Sequence, residues 1–155
     1  LHRILFAIVR SSTLLLPKWY VLLEQHAMPK HVMLHDVVTR WNSTYDMCQF
    51  ALDHREIIDI IAAYKASGLR DFELGEEEWV VVKELCDVQK VFKDATMFFS
   101  RGTPNLANVI PAMDQVDQIL TSNSLNDATF SAPIRAACAL AKKTLNCYYD
   151  KTDHL

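Results

Sequence analysis

Three groups of residues in this 155-residue sequence have types and spacings that could do chemistry. His31 and His35 are four apart, a spacing that on a helix can hold a metal ion. They follow Pro29 in a connector, with no Cys or carboxylate at a recognisable ligand spacing, so a partly exposed polar pair is the better reading. Asp46, Asp53, Glu56 and Asp59 line a solvated helix side, whereas two-metal nuclease chemistry needs acids converging from separate elements. Neither group defines a catalytic or a metal site, and no phosphate loop, nucleotide fingerprint or nucleophile elbow occurs. The third group is Arg40 and Trp41. A guanidinium can take a phosphate bidentately, and an indole offers a flat face on which a base can stack. On residue types alone, Trp41 reads more readily as a core tryptophan, with Arg40 capping a helix or pairing with an acid.

The elements that must position these residues are helical. Only 3 Gly and 5 Pro occur, few for a chain of many short strands, and half the residues are hydrophobic. Residues 1–10 read as the end of a helix, with a break and cap at Ser11, Ser12 and Thr13. Leu15, Leu16, Trp19, Leu22 and Leu23 recur at spacings of three and four, with Pro17 in a first turn that tolerates it. Residues 28–39 form a connector in which 31–38 could be extended. From Asn42 an apolar face of Tyr45, Cys48, Leu52, Ile57, Ile60, Ile61 and Tyr64 predicts one helix or two, broken near Asp53 and closed at Ser67 and Gly68. The clearest helix spans 76–100. It has three glutamates in its first turn, where they complement the dipole, and a face of Trp79, Val82, Leu85, Cys86, Phe92, Ala95 and Phe99. Thr103-Pro104 opens the next, whose face is Leu106, Val109, Ile110, Met113, Val116 and Leu120, with Pro111 a kink. Residues 121–130 read as a polar loop. Ser131, Ala132 and Pro133 then open a last helix with Ala137, Leu140, Ala141, Leu145 and Tyr148 on its apolar side. The expectation is an all-α fold over 1–155 as a single helical domain, with at most one short extended piece near 31–38.

The net charge of −3 is segregated: residues 1–43 hold five Lys or Arg against two Asp or Glu, and residues 44–99 hold six against twelve. A basic head and an acidic middle would bring only the head to nucleic acid. Acidic residues such as Glu76, Glu77 and Glu78 need no partner, since they start a helix and solvate it. Cys48, Cys86, Cys138 and Cys147 make no CxxC pair and read as reduced, partly buried thiols. The stretch 14–23 is interrupted by Pro17 and Lys18 and is too short to span a bilayer, so no membrane partner is expected. Because the first residue is Leu1, the chain is expected to begin inside a longer reading frame or to have been trimmed.

The stretch Thr39-Arg40-Trp41-Asn42-Ser43-Thr44 resembles the signature of the hAT superfamily of DNA transposases, its fungal-type members above all. The flanks agree in order: Val9-Arg10-Ser11-Ser12 before the signature, Ala51–Glu56 after it, then Leu74–Trp79, Phe92–Ser100 and Lys142–Asp150. The resemblance implies an RNase H-like enzyme with an Asp-Asp-Glu metal triad and a large helical domain inserted between the second Asp and the Glu. The present chain would be a fragment covering that insertion, shaped to position transposon-end DNA. By the resemblance Trp41 would stack on a flipped base while the flanking DNA end is sealed as a hairpin, with Arg40 beside it. The first two aspartates are expected before Leu1 and the Glu beyond Leu155, and Asp36 matches no triad position. Hence no catalytic residue is assigned and the fragment alone is expected to be inactive. Mg²⁺ or Mn²⁺ is implied only for the full-length parent, with DNA as its partner, homo-oligomerisation left open and a nuclear location. The alternatives are a domesticated descendant that binds DNA or chromatin without cutting, and a helical scaffold or oligomerisation remnant that touches no DNA.

Overall fold

The structure is a computed structural model that describes residues 1–32, 41–100 and 106–152; within the helices, the side chains of residues 41, 106–108, 148 and 150–152 lie outside the description. The described residues form α-helices and short 3-10 turns with no strand among them: α1 (His2–Arg10), α2 (Leu15–Gln25), α3 (Trp41–Asp53), α4 (Arg55–Ala63), α5 (Glu76–Ser100), α6 (Leu106–Leu125) and α7 (Ala132–Thr152). Of the stretch expected to be extended, only His31 and Val32 are described, in neither helix nor strand. Contacts divide the chain into two compact units, Leu1–Lys83 and Glu84–Leu155, the boundary falling inside α5.

In the N-terminal unit the chain bends by 103° between α1 and α2. Ser11 makes the bend: its Oγ accepts from Leu15 N at 3.2 Å and its carbonyl from Leu16 N at 2.9 Å. Pro17 then occupies the third position of α2, where no N–H is needed. α2 ends in a Schellman motif, with Met28 N donating to Leu23 O at 2.8 Å and Ala27 N to Glu24 O at 3.1 Å. Ala27 sits at φ 54°, a left-handed position usually given to Gly.

α3 and α4 are two helices, parted at His54. The Phe50 carbonyl accepts both the His54 backbone N–H, at 3.1 Å, and the His54 ring Nδ1, at 2.7 Å. The core comprises Ile4, Leu5 and Ile8 of α1, Leu15, Trp19, Leu22 and Leu23 of α2, Met47, Cys48 and Ala51 of α3, and Ile57, Ile58, Ile61 and Ala62 of α4. Each fully buried Ile or Leu is worth about 1.5–3 kcal/mol. The expected face is corrected here: Ile60 and Tyr64 are exposed, while Met47, Ala51 and Ile58 are buried. The break at His54 rotates α4 out of phase with α3, so a single period does not carry across both.

Gly68, at φ 67°, turns the chain after α4. α5 opens with one half of a capping box, Gly75 N donating to Glu78 Oε2 at 2.9 Å. Trp79 is 2 % exposed and its Nε1 donates to Asp59 Oδ1 at 3.1 Å. Arg55 lies over the Trp79 ring, pairs with Asp59 at 3.6 Å and with Glu76, and so ties α4 to the start of α5.

In the C-terminal unit α6 and α7 run antiparallel, since Asp114 meets Tyr149 while Asp117 and Thr121 meet Lys142. The loop expected over 121–130 begins only after Leu125. Thr121 Oγ1 donates to Asp117 O at 2.7 Å and Ser124 Oγ to Thr121 O at 2.8 Å, which keeps the hydroxyls within the helix. The buried face of α7 is Ile134 and Cys138, whereas Leu140 is 67 % exposed, the reverse of the expected stripe. Buried Glu84 caps α7, accepting from Ser131 N at 2.9 Å and Ser131 Oγ at 2.5 Å. A groove of about 420 Å³ lies between α5 and α6, walled by Val91, Ala95, Phe98, Pro111 and Val116.

Candidate functional site

Arg40 lies outside the described residues, as does His35. Trp41 is the first residue of α3, and its side chain is among those not described. The structure does describe what holds the chain on either side of this segment.

On the near side, Trp19 of α2 donates its indole N–H to the carbonyl of His31 at 3.0 Å. Trp19 is 1 % exposed, so this bond anchors the exposed His31 to the core. Around it gather the rings of Phe50 and His54, both from α3 and the break that ends it. Phe50 and His54 stack at 4.1 Å between centroids, and Trp19 lies 5.9 Å from Phe50 and 5.5 Å from His54. His31 meets Phe50 at 5.5 Å and His54 at 5.2 Å, edge-on to both. Four rings from three chain segments thus form one cluster.

His54 is 4 % exposed. Its Nδ1 holds the Phe50 carbonyl, so Nδ1 carries the proton and Nε2 is the bare nitrogen, buried without a hydrogen-bond partner among the described residues. Burial pushes the His54 imidazole below its ordinary range and nearby His31 adds to this, while the Phe50 carbonyl and Asp53 pull the other way. The ring is neutral near pH 7 and works as an aromatic spacer. The sequence reading passed over His54 and Phe50, although their spacing of four was the available signal.

The described residues do not fit a divalent ion. Among them no three His, Cys, Asp or Glu side chains gather as a ligand set. Asp46, Asp53 and Glu56 are exposed, and Asp59 is spent on Trp79 and Arg55. All four cysteines are free thiols; Cys48, Cys86 and Cys138 are buried and Cys147 is exposed.

Most described cations of the N-terminal unit sit on rings or carboxylates. Arg3 lies 5.2 Å from the centroid of Phe72, Arg10 lies 4.5 Å from that of Phe6 and Lys18 lies 3.2 Å from that of Tyr64. Lys30 pairs with Glu24 at 2.9 Å.

The fold is that of an all-α domain of the kind set into RNase-like proteins. Residues 3–88 match the family described as the ZBED1 RNase-like helical domain, and the chain belongs to that family. The match covers more than half of the chain, including Arg40, Trp41 and the aromatic cluster. The human zinc finger BED domain-containing protein 4 is 23 % identical over 87 residues, 56 % of this chain. The chain spans about 7 % of that relative's length. No solved structure matches the chain. The family places the chain among domains derived from hAT transposases, which is a coarser statement than the signature resemblance.

Proposed function

We propose that this chain is the helical insertion of a hAT-type transposase or of a descendant of one, and that it positions DNA for activity residing elsewhere in the full-length protein. The observation that carries this reading is the family match over residues 3–88, which spans the signature. Arg40 and Trp41 are the DNA-contacting pair in this reading, Trp41 taking an unpaired or flipped base and Arg40 a phosphate. Two facts support that assignment. Trp41 is the first residue of α3. Upstream of it, His31 is held to the buried Trp19, so that residue has less freedom to lose on binding. The location would be nuclear, and any Mg²⁺ or Mn²⁺ would be bound by residues outside this chain.

Titration with an oligonucleotide bearing one unpaired base, and with its fully paired counterpart, tests the reading. Trp41→Ala is expected to weaken binding to the unpaired base by about 1–3 kcal/mol and leave duplex affinity nearly unchanged. Arg40→Ala is expected to weaken both and to flatten the salt dependence. Trp79→Ala is the stability control, with an expected loss of about 3–5 kcal/mol. If Trp41→Ala unfolds the chain as Trp79→Ala does and the wild type binds neither oligonucleotide, Trp41 is a core residue and the assignment is wrong.

A further inference from the structure

α1 buries Ile4, Leu5 and Ile8 and turns the rest of its surface outward. On that outer side Arg3, Phe6 and Arg10 stand at i, i+3 and i+7, one stripe of a helix. The backbone positions of Arg3 and Arg10 are about 10 Å apart along the axis at 1.5 Å per residue. Each rests on a ring: Arg10 on Phe6, which also stacks with His2 at 5.9 Å, and Arg3 on Phe72 from the turn before α5. A guanidinium held on a ring has already lost much of its rotamer freedom and keeps its N–H edge for an acceptor. Among the described residues no carboxylate pairs with either arginine. The first acid in the sequence is Glu24, and Lys30 holds it. Lys18 on Tyr64 adds a third cation from the same acid-free stretch.

We infer that the Arg3–Phe6–Arg10 stripe of α1 is a second nucleic-acid contact, one that grips the phosphodiester backbone of a duplex while Trp41 engages a base and Arg40 a phosphate. This rests on the DNA-binding reading above and adds a site to it. Two pre-placed guanidinium groups on one helix suit successive phosphates, and the aromatic rings beneath them raise no competing charge. A bilayer is the poorer match, because the apolar side of α1 is buried in the core and is not available for insertion.

The test uses the full chain, a labelled random-sequence duplex and a salt series from about 50 to 200 mM. Arg3→Gln/Arg10→Gln is expected to lower duplex affinity about tenfold or more at the low end and to reduce the slope of log affinity against log salt by about two. Arg3→Lys/Arg10→Lys keeps the charges and is expected to keep the slope, which a merely structural role for the arginines would not produce. Lys143→Gln, on exposed α7, is the control and is expected to change nothing. If the double Gln variant does not fold, as read by circular dichroism, each single variant is expected to lower the slope by about one. A folded double variant with wild-type affinity and slope overturns the stripe and leaves the Arg40–Trp41 reading standing. A wild type that binds no nucleic acid overturns both, and so does one that binds phosphatidylserine vesicles but not duplex.

Discussion

His54 shows how one residue can be both structural and responsive to pH. Its neutral ring stacks on Phe50, faces Trp19 and His31, and buries a nitrogen that has no acceptor to share a second proton. The folded form therefore takes up that proton less readily than the unfolded chain, whose histidine titrates near pH 6.5. The sign follows: the contribution is fully present above the unfolded value and is lost as pH falls below it, because the unfolded state then binds the proton first. The urea midpoint of the wild type is expected to fall between pH 7 and 5, and His54→Phe is expected to flatten that fall. An equal fall in both proteins would show that His54 does not carry it.

Two helix ends make separate predictions at the scale of the element. Ala27 closes α2 with φ 54°, a conformation that costs an L-residue with a Cβ roughly 1–2 kcal/mol. Gly removes that cost but gains freedom in the unfolded chain, so Ala27→Gly is expected to stabilise by about 0.5–1 kcal/mol, read as a higher thermal midpoint. No gain would mean that the Schellman geometry imposes no strain there. Glu84 closes the other case from a distance, accepting from both Ser131 N and Ser131 Oγ at the mouth of α7. Glu84→Ala leaves those donors without their buried acceptor and is expected to cost about 1–3 kcal/mol in urea unfolding, with Glu84→Gln losing less. Unchanged midpoints in both variants would show that water serves Ser131 equally well. The α5 boundaries were legible in sequence at both ends, because three glutamates and a long stripe agree with each other. The α7 stripe was misplaced by its alanines and Leu140, since Ala137 and Leu140 carry little information about which side a helix buries.

At the scale of the whole molecule the chain holds no assembled set of acids among its described residues. Incubation with nicked or hairpin DNA and Mn²⁺ is expected to give no cleavage. Chelator-sensitive cutting that co-purifies with the protein would overturn that expectation. The two compact units divide the chemistry as well. The ring cluster and the arginine stripe belong to the unit ending at Lys83, which the family match nearly coincides with.

The sequence by itself determined the helical class, because apolar spacings of three and four recur over nearly every segment and the breakers fall between them. It also carried the coarser link to hAT-derived helical domains, to which residues 3–88 belong. The buried stripe of α2 was legible in the spacing of Leu15, Trp19, Leu22 and Leu23, but only the tertiary structure decided which side of α4 and α7 is buried. That depends on the partner presented to it, so Ile58 goes in while Ile60 stays out, and Leu140 stays out while Cys138 goes in. The tertiary structure also brought Trp19, His31, Phe50 and His54 together. Their side chains come from α2, from His31 and from the end of α3, and no local periodicity records that meeting.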